Sequence, residues 1–171
     1  MDRVPHVVFL CTGNAARSVM AGAMLAAMAE GVKVTTAGTH VIEGQPISWR
    51  TRDAMTEVGV AAVGHRSRQI AKHDLDADVI VALAREHVAW IRREHAAAAT
   101  RTGTLKRLCR DLPHEPGPLS TRIAKLDLEH VQLEPWEDVE DPAGGELDTF
   151  VACARELLHL VNELAPRLDI R

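Results

Sequence analysis

The chain has 171 residues, 46% of them hydrophobic, so it can bury one sizeable core but is too short for two full domains. A formal net charge of −4 and the spread of Lys and Arg along the chain argue against a nucleic-acid partner. No apolar run approaches the roughly 20 residues that cross a bilayer, and the first residues lack a signal-peptide pattern. We therefore expect one domain over residues 1–171, located in the cytoplasm, with no membrane partner.

Three cysteines, Cys11, Cys109 and Cys153, stand far apart in the chain. An odd number at wide spacing fits neither a disulfide framework nor a zinc site. We therefore expect no metal ion. A cysteine with a functional role should act as a reactive thiol.

Four apolar segments predict the strands of a sheet, at residues 4–10, 32–37, 77–83 and 104–108. The first run is almost continuously apolar and ends abruptly at Cys11, which is typical of a buried parallel strand that enters a loop. Helical patterns separate the strands. This alternation predicts an α/β fold, in which a central four-stranded parallel sheet lies between two layers of helices.

The helices are predicted from their apolar periodicity and their caps. One begins near Ser18, one is capped by Ser48 and stops at Gly59, and a third covers residues 85–98. Residues 111–135 are rich in proline and show no clear period, so we expect a long connection with little regular structure. The last helix carries one apolar stripe, formed by Phe150, Ala154, Leu157, Val161 and Leu164.

The loop between the first strand and the first helix carries the chemistry. Cys11 and Arg17 stand at its two ends, separated by five residues. Amides at a helix start can bind an oxyanion and also stabilise an attacking thiolate, while Arg17 can grip two phosphate oxygens. Gly13 allows a tight turn. The other residues that we expect to form this phosphate-binding loop are Thr12, Asn14, Ala15, Ala16 and Ser18.

A lone cysteine at a strand end is more often a small buried hydrophobe than a nucleophile. Here the spacing changes the balance, because Cys-x-Gly-Asn-x-x-Arg-Ser arises by chance in roughly one chain in ten thousand. The strand before the loop and the helix after it supply the context that such a motif requires. Ser18 can also donate a hydrogen bond to the sulfur of Cys11.

This N-terminal signature is similar to that of the low-molecular-weight protein-tyrosine-phosphatase family. Further segments match in chain order, at residues 36–39, 65–70, 77–80 and 136–142. The resemblance implies hydrolysis of phosphomonoesters through a phosphocysteine intermediate, without a cofactor. The implied substrates are a phosphorylated protein, in particular phosphotyrosine, or a small aryl phosphate, and the implied site ligand is phosphate or arsenate.

Four acidic residues lie close together at 137–141, and such a run is usually a solvated loop. Asp141 differs because Pro142 follows it and restricts where its carboxylate can point. In the resembled family the Asp of this pair protonates the leaving group and then activates water, so Asp141 is the candidate general acid. If Asp141 is not the general acid, Asp138 is the next candidate.

The resemblance also implies two supporting residues. His65 corresponds to a histidine that hydrogen-bonds the loop asparagine, here Asn14, and Thr36 stands where the family often has serine. Both are expected to hold the loop in shape rather than to react.

The chain departs from the family at several positions. Ala16 replaces a second loop cysteine, and neither Ala143 nor the segment at residues 41–42 supplies the aromatic wall of tyrosine-specific members. Two alternatives therefore stay open. One is an arsenate reductase that uses an external low-molecular-weight thiol, and the other is a phosphate-binding module without catalysis.

Overall fold

The computed structural model describes residues 3–62 and 64–168. Within them, four parallel strands form one sheet in the order β2-β1-β3-β4, which confirms the predicted α/β class. The strands are β1 (His6–Cys11), β2 (Lys33–Gly38), β3 (Val79–Ala82) and β4 (Thr102–Thr104). The helices are α1 (Arg17–Met28), α2 (Trp49–Glu57), α3 (Lys72–Leu75), α4 (Arg85–Glu94), α5 (Leu105–Asp111), α6 (Leu119–Ala124) and α7 (Leu147–Leu168).

The central strand β1 is buried on both faces. Val7 and Phe9 belong to a core shared with α1, α5 and α7, whereas Val8 and Leu10 belong to a second core shared with α4. Alternate residues of a strand point to opposite faces, so a continuous apolar run can supply both cores at once. The result is the expected three-layer arrangement of helices, sheet and helices.

The strand order places the functional site. The chain leaves β1 for β2 on one side of it and later enters β3 on the other side. Loops that follow two such strands diverge, and the crevice between them is the usual binding site of an open parallel sheet. The segments after Cys11, Gly38 and Ala82 all lie at this edge, since Cys11 pairs with Gly38 and Leu10 pairs with Ala82.

Two helix predictions are confirmed by their caps and faces. The Ser48 hydroxyl accepts a hydrogen bond from the Thr51 amide at the start of α2, and Gly59 adopts a φ of 78° after the helix ends. All five residues of the predicted stripe on α7 are buried. None of the helices in the described residues is both long and apolar enough to span a membrane.

The predicted fourth strand at residues 104–108 is wrong. The strand ends at Thr104, whose hydroxyl accepts the Arg107 amide at 3.1 Å and caps α5. Leu105 and Leu108 are spaced for one face of a helix and are fully buried there. Capping and helical spacing therefore prevail over the short apolar run that suggested a strand.

The long connection at residues 111–135 contains more structure than predicted. Helix α6 lies within it and begins directly after Pro118, a residue that is tolerated at helix starts. In contrast, α4 is shorter than the predicted 85–98, because it ends at Glu94 and a 3₁₀ helix, Ala96–Arg101, follows.

A buried ion pair fixes the first residue of the acidic run. Glu137 is fully buried and accepts hydrogen bonds from Arg107 at 2.8 and 2.9 Å and from Thr104 at 2.9 Å. Burial alone would raise the pKa of Glu137, but the bonds from Arg107 and its other donors outweigh this effect and lower the pKa. The carboxylate is thus charged and stabilises the fold.

Replacing Glu137 with Gln should lower the free energy of unfolding by about 3 kcal/mol at neutral pH, because Arg107 loses its buried counter-ion. The folded-state pKa of Glu137 lies below its ordinary value of 4.5. The contribution is therefore complete above that value and is lost as the pH falls through the lowered pKa, so the deficit of the variant should shrink in acid. Urea unfolding of both proteins, at neutral pH and in acid, measures the difference in the free energy of unfolding.

Glu156→Gln is the matched control, because Glu156 pairs with Lys106 at 3.2 Å but is half exposed. Its loss should stay within about 1 kcal/mol. Equal losses in the two variants would contradict the special role of the buried pair.

Candidate active site

The nucleophile candidate lies at the end of β1. Cys11 is 3% exposed, and its sulfur lies 2.9 Å from Oγ of Ser18, the second residue of α1. The Ser18 oxygen also accepts a hydrogen bond from the Asn14 amide group at 2.9 Å. Because that oxygen is already an acceptor, its own proton can be donated to the sulfur. This contact agrees with the role expected of Ser18.

The shape of the loop is determined at Asn14, which is fully buried and has a φ of 51°. Few residues other than glycine adopt this left-handed conformation, and Asn is among the most tolerant. Its side chain donates to Ser18 and Thr36 and accepts the Arg68 amide. His65 contacts Asn14 as expected, but its Nε2 bonds the backbone carbonyl at 2.9 Å rather than the side chain.

Gly13 is not the strained residue of the turn. A Cβ at this position would meet no atom within 4 Å in the described part of the chain, and the positive φ belongs to the next residue. The expectation that Gly13 makes the tight turn is therefore replaced by a turn at Asn14. Ala15 is exposed and its carbonyl accepts a hydrogen bond from the Thr51 hydroxyl at 3.3 Å, while Ala16 is half-buried.

Gly38, at the end of β2, is a site residue that the sequence analysis did not single out. A Cβ here would lie 2.4 Å from the Thr12 carbonyl oxygen and 3.0 Å from the Asn14 nitrogen, so a side chain cannot fit. The amides of Thr39 and His40 then donate to the carbonyls of Cys11 and Thr12. The strand end thus supports the loop through direct backbone contact.

Arg17 connects the loop to the acidic run. It is 3% exposed and is the first residue of α1. Its Nη1 donates to the Val139 carbonyl at 2.9 Å, and its Nη2 lies 3.5 Å from Asp141 and 4.0 Å from Glu86. A guanidinium and a carboxylate therefore face each other beside the loop that begins with Cys11.

Asp141 is half exposed and its orientation is set locally. The Ala143 amide donates to Oδ1 of Asp141 at 3.0 Å, which leaves Oδ2 directed at Arg17. Pro142 between them is buried. This turn carries the Asp-Pro signature that the sequence analysis identified.

Asp138 is unsuited to act as the acid. Its carboxylate accepts the Arg85 amide at 2.8 Å and the Arg85 guanidinium at 3.0–3.2 Å. Burial would raise the pKa of Asp138, but the hydrogen bonds from Arg85 outweigh it and the pKa is lowered. Asp138 instead anchors the acidic run to the start of α4, and Val139 continues this anchor by donating to the Leu83 carbonyl at 2.8 Å.

A groove of about 580 Å³ opens beside Arg17. No aromatic side chain lines this groove among the described residues. Ala143 and Ile42, at the positions where an aromatic wall would stand, are both exposed. Four acidic residues face two basic ones around the groove. The lining residues are Arg17, Ala84, Arg85, Glu86, Ala89, Leu133, Asp138, Val139, Glu140 and Asp141.

The other two cysteines are buried thiols. Burial raises the pKa of Cys109 to about 11 and that of Cys153 to about 12. In the described residues, the one cluster close enough to hold a metal ion is Asp127, Glu129 and His130, which lies at the protein surface and is not part of this site.

Comparison with known proteins places these features in a family. The family model described as low molecular weight phosphotyrosine protein phosphatase matches residues 6–170. A protein-arginine-phosphatase from Geobacillus stearothermophilus is 30% identical over 96% of both chains. A low molecular weight protein-tyrosine phosphatase A from Mycobacterium tuberculosis is 37% identical, over 55% of this chain and 61% of its own length.

Solved structures agree with the sequence comparison. The structure of the YwlE arginine phosphatase from Geobacillus stearothermophilus superimposes with a TM-score of 0.76 at 29% identity, over 96% of this chain and 93% of that one. A low molecular weight protein tyrosine phosphatase from T. tengcongensis gives a TM-score of 0.73 at 26% identity, over 94% and 97% of the two chains. With the family model matching nearly the whole length, the chain belongs to the low molecular weight phosphotyrosine protein phosphatase family.

Proposed function

We propose that this protein is a phosphatase that hydrolyses phosphorylated side chains of proteins through a phosphocysteine intermediate. In this proposal Cys11 is the nucleophile, Arg17 holds the phosphoryl group and Asp141 is the general acid and base. The observation that supports it most is the position of Arg17. This residue begins α1, at the end of the loop that starts with Cys11, and its Nη2 lies 3.5 Å from Asp141.

The first chemical step breaks the bond between phosphorus and the leaving atom. The thiolate of Cys11 attacks phosphorus, and the loop amides and Arg17 stabilise the charge on the equatorial oxygens. The leaving atom takes a proton from Asp141 as it departs. The product is a phosphocysteine with Asp141 ionised.

The second step regenerates the enzyme. Asp141 removes a proton from a water molecule, which attacks phosphorus while the sulfur–phosphorus bond breaks. Ser18 donates a hydrogen bond to the departing sulfur, and the electron pair remains on Cys11 as a thiolate. Inorganic phosphate leaves, and no redox partner is needed.

The guanidine of phosphoarginine and the phenolate of phosphotyrosine are the two leaving groups to compare. Tyrosine phosphate and other aryl phosphates were the expectation from sequence, but a phenolate gains most from aromatic walls, and the groove offers none among the described residues. The charge of Arg85 is balanced by Asp138. The carboxylates of Glu86, Glu140 and Asp141 then give the groove beside Arg17 an excess of negative charge. A guanidinium leaving group complements that charge.

We therefore propose phosphoarginine as the preferred substrate, with aryl phosphates as weaker ones. The relative that matches over 96% of both chains is named a protein-arginine-phosphatase, which supports this choice. Guanidine is a much poorer leaving group than a phenolate unless it is protonated, so this substrate would depend strongly on the acid Asp141.

Replacing Cys11 with Ser should lower the turnover rate of an aryl phosphate and of a phosphoarginine peptide at least about a thousandfold. Binding of inorganic phosphate, measured by calorimetry, should remain because the amides and Arg17 remain. Cys109→Ser is the matched control, since Cys109 lies on α5 and bonds the Leu160 carbonyl. Substantial turnover in Cys11→Ser would refute the role of Cys11.

Assays of the wild-type protein separate the alternatives. Reduction of arsenate with an added small thiol, in a wild-type protein that hydrolyses no phosphate ester or phosphoramidate, would establish the reductase. Phosphate binding without either activity would establish the binding module. Both differ clearly from the result that we expect.

Replacing Asp141 with Asn should slow substrates with poor leaving groups much more than those with activated ones, because an activated phenolate hardly needs a proton. A series of aryl phosphates of rising phenol pKa measures this dependence, which should be steeper in Asp141→Asn. Asp138→Asn is the control. It should lower turnover by loosening the anchor at Arg85 while keeping the wild-type slope, and a steepened slope in this variant instead would assign the acid to Asp138.

Replacing Glu86 with Gln should lower kcat/KM for a phosphoarginine peptide about fivefold, since one carboxylate at the mouth is lost. The value for the matching phosphotyrosine peptide should stay equal or rise. Glu94→Gln, at the far end of the same helix, should change neither. A wild-type protein that prefers the phosphotyrosine peptide would overturn the choice of leaving group while leaving the roles of Cys11 and Asp141 intact.

A further inference from the structure

His87 is a buried histidine that the proposed reaction does not use. It is the third residue of α4 and is 1% exposed. Its Nε2 lies 2.9 Å from the Thr12 hydroxyl, in the phosphate-binding loop, and its Nδ1 lies 3.1 Å from the Ala84 amide nitrogen. Both ring nitrogens are therefore engaged, one by the loop and one by the helix start.

These contacts determine the tautomer. A backbone amide can only donate, so Nδ1 of His87 must be an unprotonated acceptor. The ring proton is then on Nε2 and is donated to Thr12, with Glu86 as a more distant acceptor at 3.5 Å. Burial lowers the pKa of His87 to about 3, and the nearby charge of Arg17 acts in the same direction. The His87 ring is therefore neutral at physiological pH.

Thr12 is held from two sides by these bonds. Its carbonyl accepts the His40 amide at 3.0 Å, and its hydroxyl accepts the His87 proton. Thr12 directly follows the nucleophile, and the Cys11 carbonyl is also fixed, by the Thr39 amide. The first peptide units of the loop, whose amides would face an oxyanion, therefore depend on these contacts for their orientation.

The first turn of α4 also holds the acidic run. Arg85, two residues before His87, binds Asp138 through its amide and its side chain. One helical turn thus contacts the loop of the nucleophile through His87 and the segment of the acid through Arg85. Its rigid backbone sets the distance between the two.

We propose that His87 is a positioning residue, which donates from Nε2 to Thr12 and thereby holds the start of the phosphate-binding loop in the geometry that binds the oxyanion. This inference rests on the proposed phosphatase function. His87 does not stand out among the nine histidines of the sequence, because its partner Thr12 lies 75 residues away in the chain.

The test compares two substitutions of His87. Gln offers an oxygen that can accept the Ala84 amide and a nitrogen that can donate to Thr12, whereas Leu offers neither. His87→Leu should raise the inhibition constant of inorganic phosphate about tenfold and lower kcat/KM by a similar factor, per folded active site. His87→Gln should stay within about threefold of the wild type in both.

Thr12→Val tests the bond from the other side, because valine keeps the shape of threonine without the hydroxyl. It should weaken phosphate inhibition about as much as His87→Leu, and the double variant should be no weaker than either single one. Additive losses would show that the two residues act separately and would overturn the proposal. This variant also keeps the test valid if His87→Leu does not fold.

His6→Leu is the matched control. His6 is also buried, and its Nε2 lies 2.8 Å from the Thr35 hydroxyl, but it starts β1 at the opposite end of the sheet. It should lower thermal stability and leave the phosphate inhibition constant unchanged. If His87→Leu behaves in the same way, or if His87→Gln fails as badly as His87→Leu, the positioning role is wrong.

Nitrogen-15 NMR of the imidazole gives a reading that does not need turnover. The wild type should show an unprotonated Nδ1 and a protonated Nε2 in His87 at neutral pH, and the opposite tautomer would overturn the proposal. Failure of the proposed function would be recognised separately, by a wild-type protein that neither hydrolyses phosphorylated substrates nor binds phosphate.

Discussion

A buried guanidinium has to be hydrogen-bonded and paired, because an isolated charge in a protein interior is very costly. Arg17 meets this demand with the Val139 carbonyl and the Asp141 carboxylate. Residues near the two ends of the chain must therefore fold against each other before the site exists. The arginine that the loop sequence suggests as a phosphate ligand is thus also the residue that brings the candidate acid, Asp141, to the loop that begins with Cys11.

The acidic run is held in place by successive contacts rather than by one. Glu137 pairs with Arg107, Asp138 pairs with Arg85, and the Val139 amide binds the Leu83 carbonyl. Only after these three residues does the chain reach the solvent-exposed pair of Glu140 and Asp141. Glu137, Asp138 and Asp141 look alike in the sequence, but their burial and their partners distinguish them.

Features whose causes are local could be predicted from the sequence. The apolar runs around Val7 and Ile80 indicated buried strands, Ser48 indicated a helix start, and the segment from Cys11 to Arg17 indicated a loop between a strand and a helix. The parallel sheet followed from the alternation of these elements. Near Thr104 the local signals conflicted, since a short apolar run and a capping hydroxyl share the same residues, and only the cap was decisive.

Features that depend on contacts between distant residues could not be predicted. His87 and Gly38 gain their roles from Thr12, which lies far from both in the chain but beside them in the fold. The pairing of Asp138 with Arg85 likewise spans 53 residues. Nothing in the local pattern of an acidic run indicates which carboxylate meets an arginine.

Gly38 has a consequence for the energetics of ligand binding. Because the backbone of β2 lies directly against Thr12 and Asn14, the loop takes its shape from the sheet itself and not from the arriving anion. A preorganised loop loses little conformational entropy when a ligand binds, so more of the interaction energy with the oxyanion appears as affinity. The absence of one methyl group on a strand thus contributes to the strength with which a phosphoryl group can be held on the neighbouring loop.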